Sequence, residues 1–260
     1  FYINEYIVPI NFILFGIKFV LFDVLIKFNY LNKKERNFKV KEGLQFSLNK
    51  HLNYNLILHG EYQNKDKPKI LIVNHKNWTD PAVLKSIFPN LHFVAKAEIG
   101  KQSDFKYFSY FSNKILDSFN LILYDRGGKK NGNDVRQLIK KELNNGNSVV
   151  VFAEGSAYAF GGIRDFYPGS FELAYENNYI IQPITIKHMT DITYGEVEKD
   201  SKAHNLSILK NIFKSQKNKK NDVHVTIHED LNPRDFDDAT HLRKYTKYII
   251  EKEFIKRTLD

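Results

Sequence analysis

Along the chain, short apolar runs alternate with amphipathic stretches, and the two periods rarely mix. Ile70 to Val73 is a fully apolar run bounded by polar residues, which predicts a buried strand. Tyr54 to Tyr62, Leu91 to Ala95, Leu121 to Tyr124, Ser148 to Ala153 and Ile180 to Ile186 repeat that signal. Between them lie helical patterns. Ala82, Val83, Leu84 and Ile87 follow Thr79-Asp80-Pro81, and Val135, Leu138, Ile139 and Leu143 follow Asn133-Asp134 and stop at Gly146. Gly169 to Asn177 predicts one more helix, and Leu242 to Phe254 an amphipathic one that closes the chain. Val223, Val225 and Ile227 alternate with His224, Thr226 and His228, as a half-exposed strand requires. Pro183 argues for an edge or a bulge in its strand. Strands alternating with short helices imply an α/β fold, a mostly parallel central sheet flanked by helices.

Residues 6 to 30 break this rhythm, being apolar almost throughout. Ile13, Ile17, Leu21, Val24 and Phe28 form one helical stripe, and Lys18, Asp23 and Lys27 interrupt the run. A membrane-spanning helix would hold Lys18 near its centre at about 2.5–3.5 kcal/mol. A helix lying in the membrane plane lets Lys18 and Lys27 reach the headgroups instead. The basic cluster from Leu31 to Arg36 suits either an anionic surface or a solvated linker. Residues 1–38 therefore read as a hydrophobic, membrane-docking helical segment and 39–260 as the α/β domain.

Composition narrows the chemistry. A formal charge of +9 suits anionic partners, and 14% aromatic residues suit apolar surface facing something other than water. The chain has no cysteine, which excludes disulfides, thiolate metal sites and a cysteine nucleophile. The lysines are scattered and the aromatics sit in apolar runs, so nucleic acid is not the expected partner. His224 and His228 are four apart, but on a strand that spacing does not make a metal site, and no metal is expected.

Candidate chemistry gathers where strands end. His75 leaves the first buried strand, and Asp80 stands five residues later at the mouth of a helix, as a base and its orienting acid would. The plainer reading makes Asp80 an N-cap ahead of proline. Arg126 follows the strand ending at Tyr124, and Glu154 follows the strand ending at Ala153. In a parallel sheet these ends share one edge, where open α/β folds bind ligands.

The order of these motifs resembles the glycerolipid acyltransferases, the family typified by 1-acylglycerol-3-phosphate acyltransferase, from about Lys69 to Ile186. N-H-K-N-W-T-D at Asn74 to Asp80 is similar to N-H-x-S-x-x-D, with Asn77 where serine is usual. F-V-A-K-A-E-I at Phe93 to Ile99, Y-D-R at Tyr124 to Arg126, F-A-E-G-S at Phe152 to Ser156 and I-Q-P-I-T-I around Pro183 resemble the segments that follow. The resemblance implies acyl transfer from an acyl thioester, acyl-CoA or acyl carrier protein, to the free hydroxyl of 1-acylglycerol 3-phosphate, giving phosphatidic acid, with no other cofactor. It implies a membrane-associated enzyme whose active domain faces the cytoplasm. By the same resemblance His75 and Asp80 are catalytic, and Arg126 holds the acceptor phosphate. Lys96 contacts phosphate, and Glu154, Gly155 and Ser156 shape the glycerol pocket. Ala157 stands where the family commonly has arginine, and Arg164 is the candidate to supply the missing charge. A different lysophospholipid or glycolipid acceptor, or an inactive membrane-docked scaffold, are the alternatives. A serine hydrolase would need a G-x-S-x-G elbow, which Gly155-Ser156-Ala157 does not provide.

Overall fold

The computed structural model describes residues 32–62, 67–77, 79–96, 119–124, 132–157, 162–189 and 221–259. The apolar segment of residues 6–30 and Arg126 lie outside them. In chain order the elements are α1 (Lys33–Leu52), β1 (Tyr54–His59), β2 (Ile70–Val73), α2 (Asp80–Ile87), β3 (His92–Lys96) and β4 (Leu121–Tyr124). They continue with α3 (Gly132–Asn144), β5 (Val149–Phe152), α4 (Gly169–Asn177), β6 (Ile181–His188), β7 (Asn221–Ile227), a 3₁₀ turn (Pro233–Asp235) and α5 (Ala239–Leu259).

Seven strands form one sheet in the order β1-β7-β6-β2-β5-β3-β4. Every neighbouring pair is parallel except β6 and β7. Side chains alternate across the sheet with period two. Leu71, Val73, Phe93, Val150 and Ile184 join one core with Val40, Leu44 and Leu48 of α1 and Val83 and Leu84 of α2. Ile70, Ile72, Val149 and Ile181 join the other with residues of α3, α4 and α5. Helices thus cover both faces, which is why β2 and β5 in the middle of the sheet are apolar at every position.

The structure decides three points that the sequence left open. The basic cluster after Leu31 is not a linker, because it forms the first turn of α1, a helix that runs on through residue 38. Asn32 accepts from the Glu35 N–H while the Glu35 carboxylate accepts from the Asn32 N–H, a capping box. Glu35 also supplies the negative charge that the helix start favours among the cations. Val40, Leu44 and Leu48, four residues apart, give α1 its buried stripe.

Secondly, β6 is interior, so Pro183 marks a bulge and not an edge. Ile184 pairs with Ile227 while Ile181 pairs with Leu231, leaving one extra residue on the β7 side. The Pro183 carbonyl accepts from His228 N–H. Its ring nitrogen therefore also faces the bulge, where no ladder donor is needed. Thirdly, Thr79 precedes α2 and Asp80 is its first helical residue, so Asp80 is not the N-cap.

Gly60 ends β1 at φ +76°, and a Cβ added there would meet the Ile227 carbonyl. The left-handed backbone alone costs an L-residue about 1–2 kcal/mol. Gly60→Ala is expected to lower unfolding free energy by at least that much in urea titrations. An unchanged midpoint would show that β1 and β7 separate easily.

Candidate active site

Strands β2, β5, β3, β4 and β6 run the same way, so their C-terminal ends share one edge. Strands β1 and β7 run oppositely and bring their starts to it. His75 leaves β2 there, Glu154 leaves β5, Lys96 ends β3, His188 ends β6 and Tyr54 begins β1.

The loop leaving β2 is tied down before it reaches the histidine. Asn74 is fully buried, its side-chain amide donates to Ile186 O at 2.9 Å, and its oxygen accepts from Ile186 N–H at 2.8 Å. The side chain thereby extends the β2–β6 ladder by one pair. Next, His75 N–H donates to Glu154 Oε1 at 2.8 Å. The His75 ring stacks on Phe152, with centroids 4.2 Å apart and planes 24° from parallel.

Asp80 is 0% exposed and collects four donors. Its Oδ2 lies 2.9 Å from His75 Nδ1 and accepts the Lys76 and Asn77 N–H groups, each at 2.9 Å. Its Oδ1 lies 2.7 Å from His188 Nε2. Burial alone would raise the carboxyl's pKa, but the bonds and charges of His188 and His75 outweigh it and hold the group well below its usual range. A carboxylate only accepts, so each imidazole presents an N–H to it. In the neutral rings this leaves His75 Nε2 and His188 Nδ1 as acceptors. The His75 side chain keeps 15% exposure, whereas His188 Nδ1 is buried without a hydrogen-bond partner among the described residues. Of the two rings, His75 is the one placed to take a proton from a bound molecule.

Both oxygens of Glu154 are occupied. Oε1 takes His75 N–H; Oε2 takes Lys76 Nζ at 3.2 Å and Arg164 N–H at 2.9 Å. Lys76 Nζ also donates to Gly162 O at 2.6 Å. At 2% exposure Glu154 is thus a buried clamp joining the β2 loop to the loop after β5. Gly155 turns the chain directly after it at φ +71°, and Ser156 follows half-buried. Arg164 enters the clamp through its backbone and is itself exposed.

Near the start of α2, four backbone N–H groups are already committed within the loop. The N–H groups of Lys76 and Asn77 are spent on Asp80, that of Thr79 on Asn77 Oδ1, and that of Asp80 on Asn77 O. Pro81 has none. His188 is the site residue that sequence reading missed. Ending the predicted strand at Ile186 hid it, although a histidine just past a parallel strand carries the same signal that singled out His75.

The model of the Acyltransferase family matches residues 55–187. A probable 1-acyl-sn-glycerol-3-phosphate acyltransferase of Mycoplasma genitalium is 26% identical over 196 residues, 72% of this chain and 66% of that protein. The 1-acyl-sn-glycerol-3-phosphate acyltransferase of Helicobacter pylori is 26% identical over 166 residues, 63% of this chain. The chain's match spans about two thirds of each relative, 66% in both. In three dimensions the chain resembles the 1-acyl-sn-glycerophosphate acyltransferase of Thermotoga maritima, with a TM-score of 0.61, 18% identity and coverage of 95% of this chain and 96% of that one. At that identity the likeness speaks for the fold. The family match covers half the chain and includes both the His75–Asp80 loop and the Glu154 turn that clamps it, and so this chain belongs to the acyltransferase family.

Proposed function

We propose that the protein transfers a fatty acyl group from an acyl thioester to the free hydroxyl of 1-acylglycerol 3-phosphate, forming phosphatidic acid. The observation that carries this reading is the His75 imidazole held through Nδ1 by a fully buried carboxylate at the ligand-binding edge of a parallel sheet. His75 Nε2 takes the proton of the acceptor hydroxyl as its oxygen attacks the thioester carbonyl. Asp80 holds the tautomer and stabilises the imidazolium. The thiol then leaves with the proton from His75. The substrate's hydroxyl does the work of a nucleophilic serine, so no acyl-enzyme forms. The named activities of the two relatives support this acceptor. Membrane association through residues 1–38, with the active domain on the cytoplasmic side, suits an acceptor that resides in a bilayer. Among the described residues no helix is long and apolar enough to cross one.

Arg126 and Lys96 are assigned to the acceptor phosphate. Arg126 follows β4 and Lys96 ends β3, the strand beside it. Gly155 and Ser156 border the acceptor, and Arg164 provides charge on the Ala157 side. Arg126→Ala is expected to raise KM roughly tenfold for phosphate-bearing acceptors, the scale of one charge-assisted hydrogen bond. An equal rise for an acceptor without phosphate would remove that assignment.

The test of the whole reading is acyl transfer from a labelled acyl-CoA or acyl carrier protein, with lysophosphatidic acid and a phosphate-capped lysophospholipid offered side by side. Product from lysophosphatidic acid supports it. A second acceptor reading rests on Ala157 and on a third relative, the lyso-ornithine lipid O-acyltransferase of Pseudomonas aeruginosa, 25% identical over 125 residues. Preference for an acceptor without a terminal phosphate would favour it. No transfer to any acceptor would point to an inactive scaffold.

A further inference from the structure

Asp80 serves two imidazoles, and the second has no part in the reaction just described. We propose that His188 is a positioning residue for the catalytic pair: by donating to Oδ1 it draws carboxylate charge away from Oδ2, so that His75 remains neutral and able to act at lower pH. The inference rests on the reading of His75 as general base.

The geometry separates the two oxygens. Oδ2 is anchored by the Lys76 and Asn77 N–H groups whatever happens at Oδ1. Its bond to His75 Nδ1 therefore survives loss of His188, while the negative charge left on it grows. A stronger negative partner stabilises the His75 imidazolium, and the direction of the effect follows.

His188 is well placed for this and poorly placed for anything else. Its side chain is 9% exposed, its Nε2 is 2.7 Å from Oδ1, and its Nδ1 is buried without a partner among the described residues. The Tyr54 ring meets it edge-on at 5.6 Å. Burial pushes the Tyr54 hydroxyl's pKa up, so this neighbour from β1 adds no charge. From the β2 loop Lys76 faces the site but is paired with Glu154 from the β5 turn. Lys187, the next residue back on β6, lies over the Phe254 ring of α5 at 4.1 Å. The charge that His75 senses is thus chiefly that of Asp80, and His188 is the group that shares it.

Two readouts on the full chain test this. The first follows the His75 imidazole signals by NMR against pH without substrate. The second follows kcat/KM for acyl transfer from pH 5.5 to 8.5. In His188→Leu the His75 midpoint is expected to rise, by up to about one unit. The acid limb of kcat/KM should move with it, an up to tenfold loss below the midpoint, while the alkaline plateau persists. His188→Gln keeps an N–H donor and should return both curves toward wild type. A midpoint that stays or falls in His188→Leu overturns the proposal. So does a uniform loss at every pH with an unshifted limb, which marks a purely structural role. Should the leucine variant not fold, His188→Asn, too short to reach Oδ1, is compared with His188→Gln by the same criteria. If His75→Ala retains full activity, the general-base reading fails, and the NMR midpoint still decides whether His188 acts on His75.

Discussion

His75→Ala is expected to lower kcat for acyl transfer by about 10²–10⁴-fold, the usual worth of a positioned base. The loss should appear in single-turnover reactions with a labelled acyl thioester, where product release does not mask chemistry. The fold should survive. Asp80 Oδ2 keeps two backbone donors and Oδ1 keeps His188, so no buried charge is left bare. Circular dichroism and a thermal melt would separate a chemical defect from a folding one. A folded variant with near wild-type turnover would remove His75 from the mechanism.

Asp80→Asn has the larger reach because it touches chemistry and stability together. An amide has one accepting end, yet both ends of Asp80 face N–H donors. Turned towards His188, the amide N–H meets that ring's N–H unless the ring changes tautomer; turned the other way, it meets the Lys76 and Asn77 N–H groups, which cannot change. Activity is expected to fall on the order of 10⁴-fold, as it does when the orienting aspartate of a serine-protease triad becomes asparagine. Stability should fall by about 1.5–3 kcal/mol, the worth of a hydrogen bond to a charged group. The folded carboxyl titrates below its unfolded value of about 3.9. Its contribution is therefore complete above that pH and is lost as the pH falls through the folded value. Wild-type melting temperatures should drop along that acid limb, and in Asp80→Asn the limb should flatten while the neutral plateau sits lower. A variant with an unchanged plateau would mean that Asp80 is not the anchor described here.

Some of this was legible from local pattern. The run Ile70 to Val73 is buried at all four positions because its strand lies between two others with helices on both faces. The alternation of Val223, Val225 and Ile227 was equally readable, since one face of β7 is buried and the other is not. Helix α1 was not, because its polar residues and cationic start mask its buried stripe, which among the described side chains is Val40, Leu44 and Leu48. Pro183 was read in part: the missing N–H was evident, but whether an edge or a bulge absorbed it depended on which strand lay alongside.

The same boundary runs through the site. The sequence by itself determined that a histidine and an aspartate share one short loop between a strand and a helix, because five residues of chain leave their side chains little room to part. It also determined that Glu154 follows a strand that could run beside that one. Only the tertiary structure decided where the carboxylates' remaining oxygens go. Asp80 reaches His188, 108 residues on, because β6 lies parallel to β2. Glu154 turns inward to hold the His75 backbone, because β5 flanks β2 on its other side. A hydrogen bond needs its partner within about 3 Å, and for residues so distant in sequence strand order alone brings them that close.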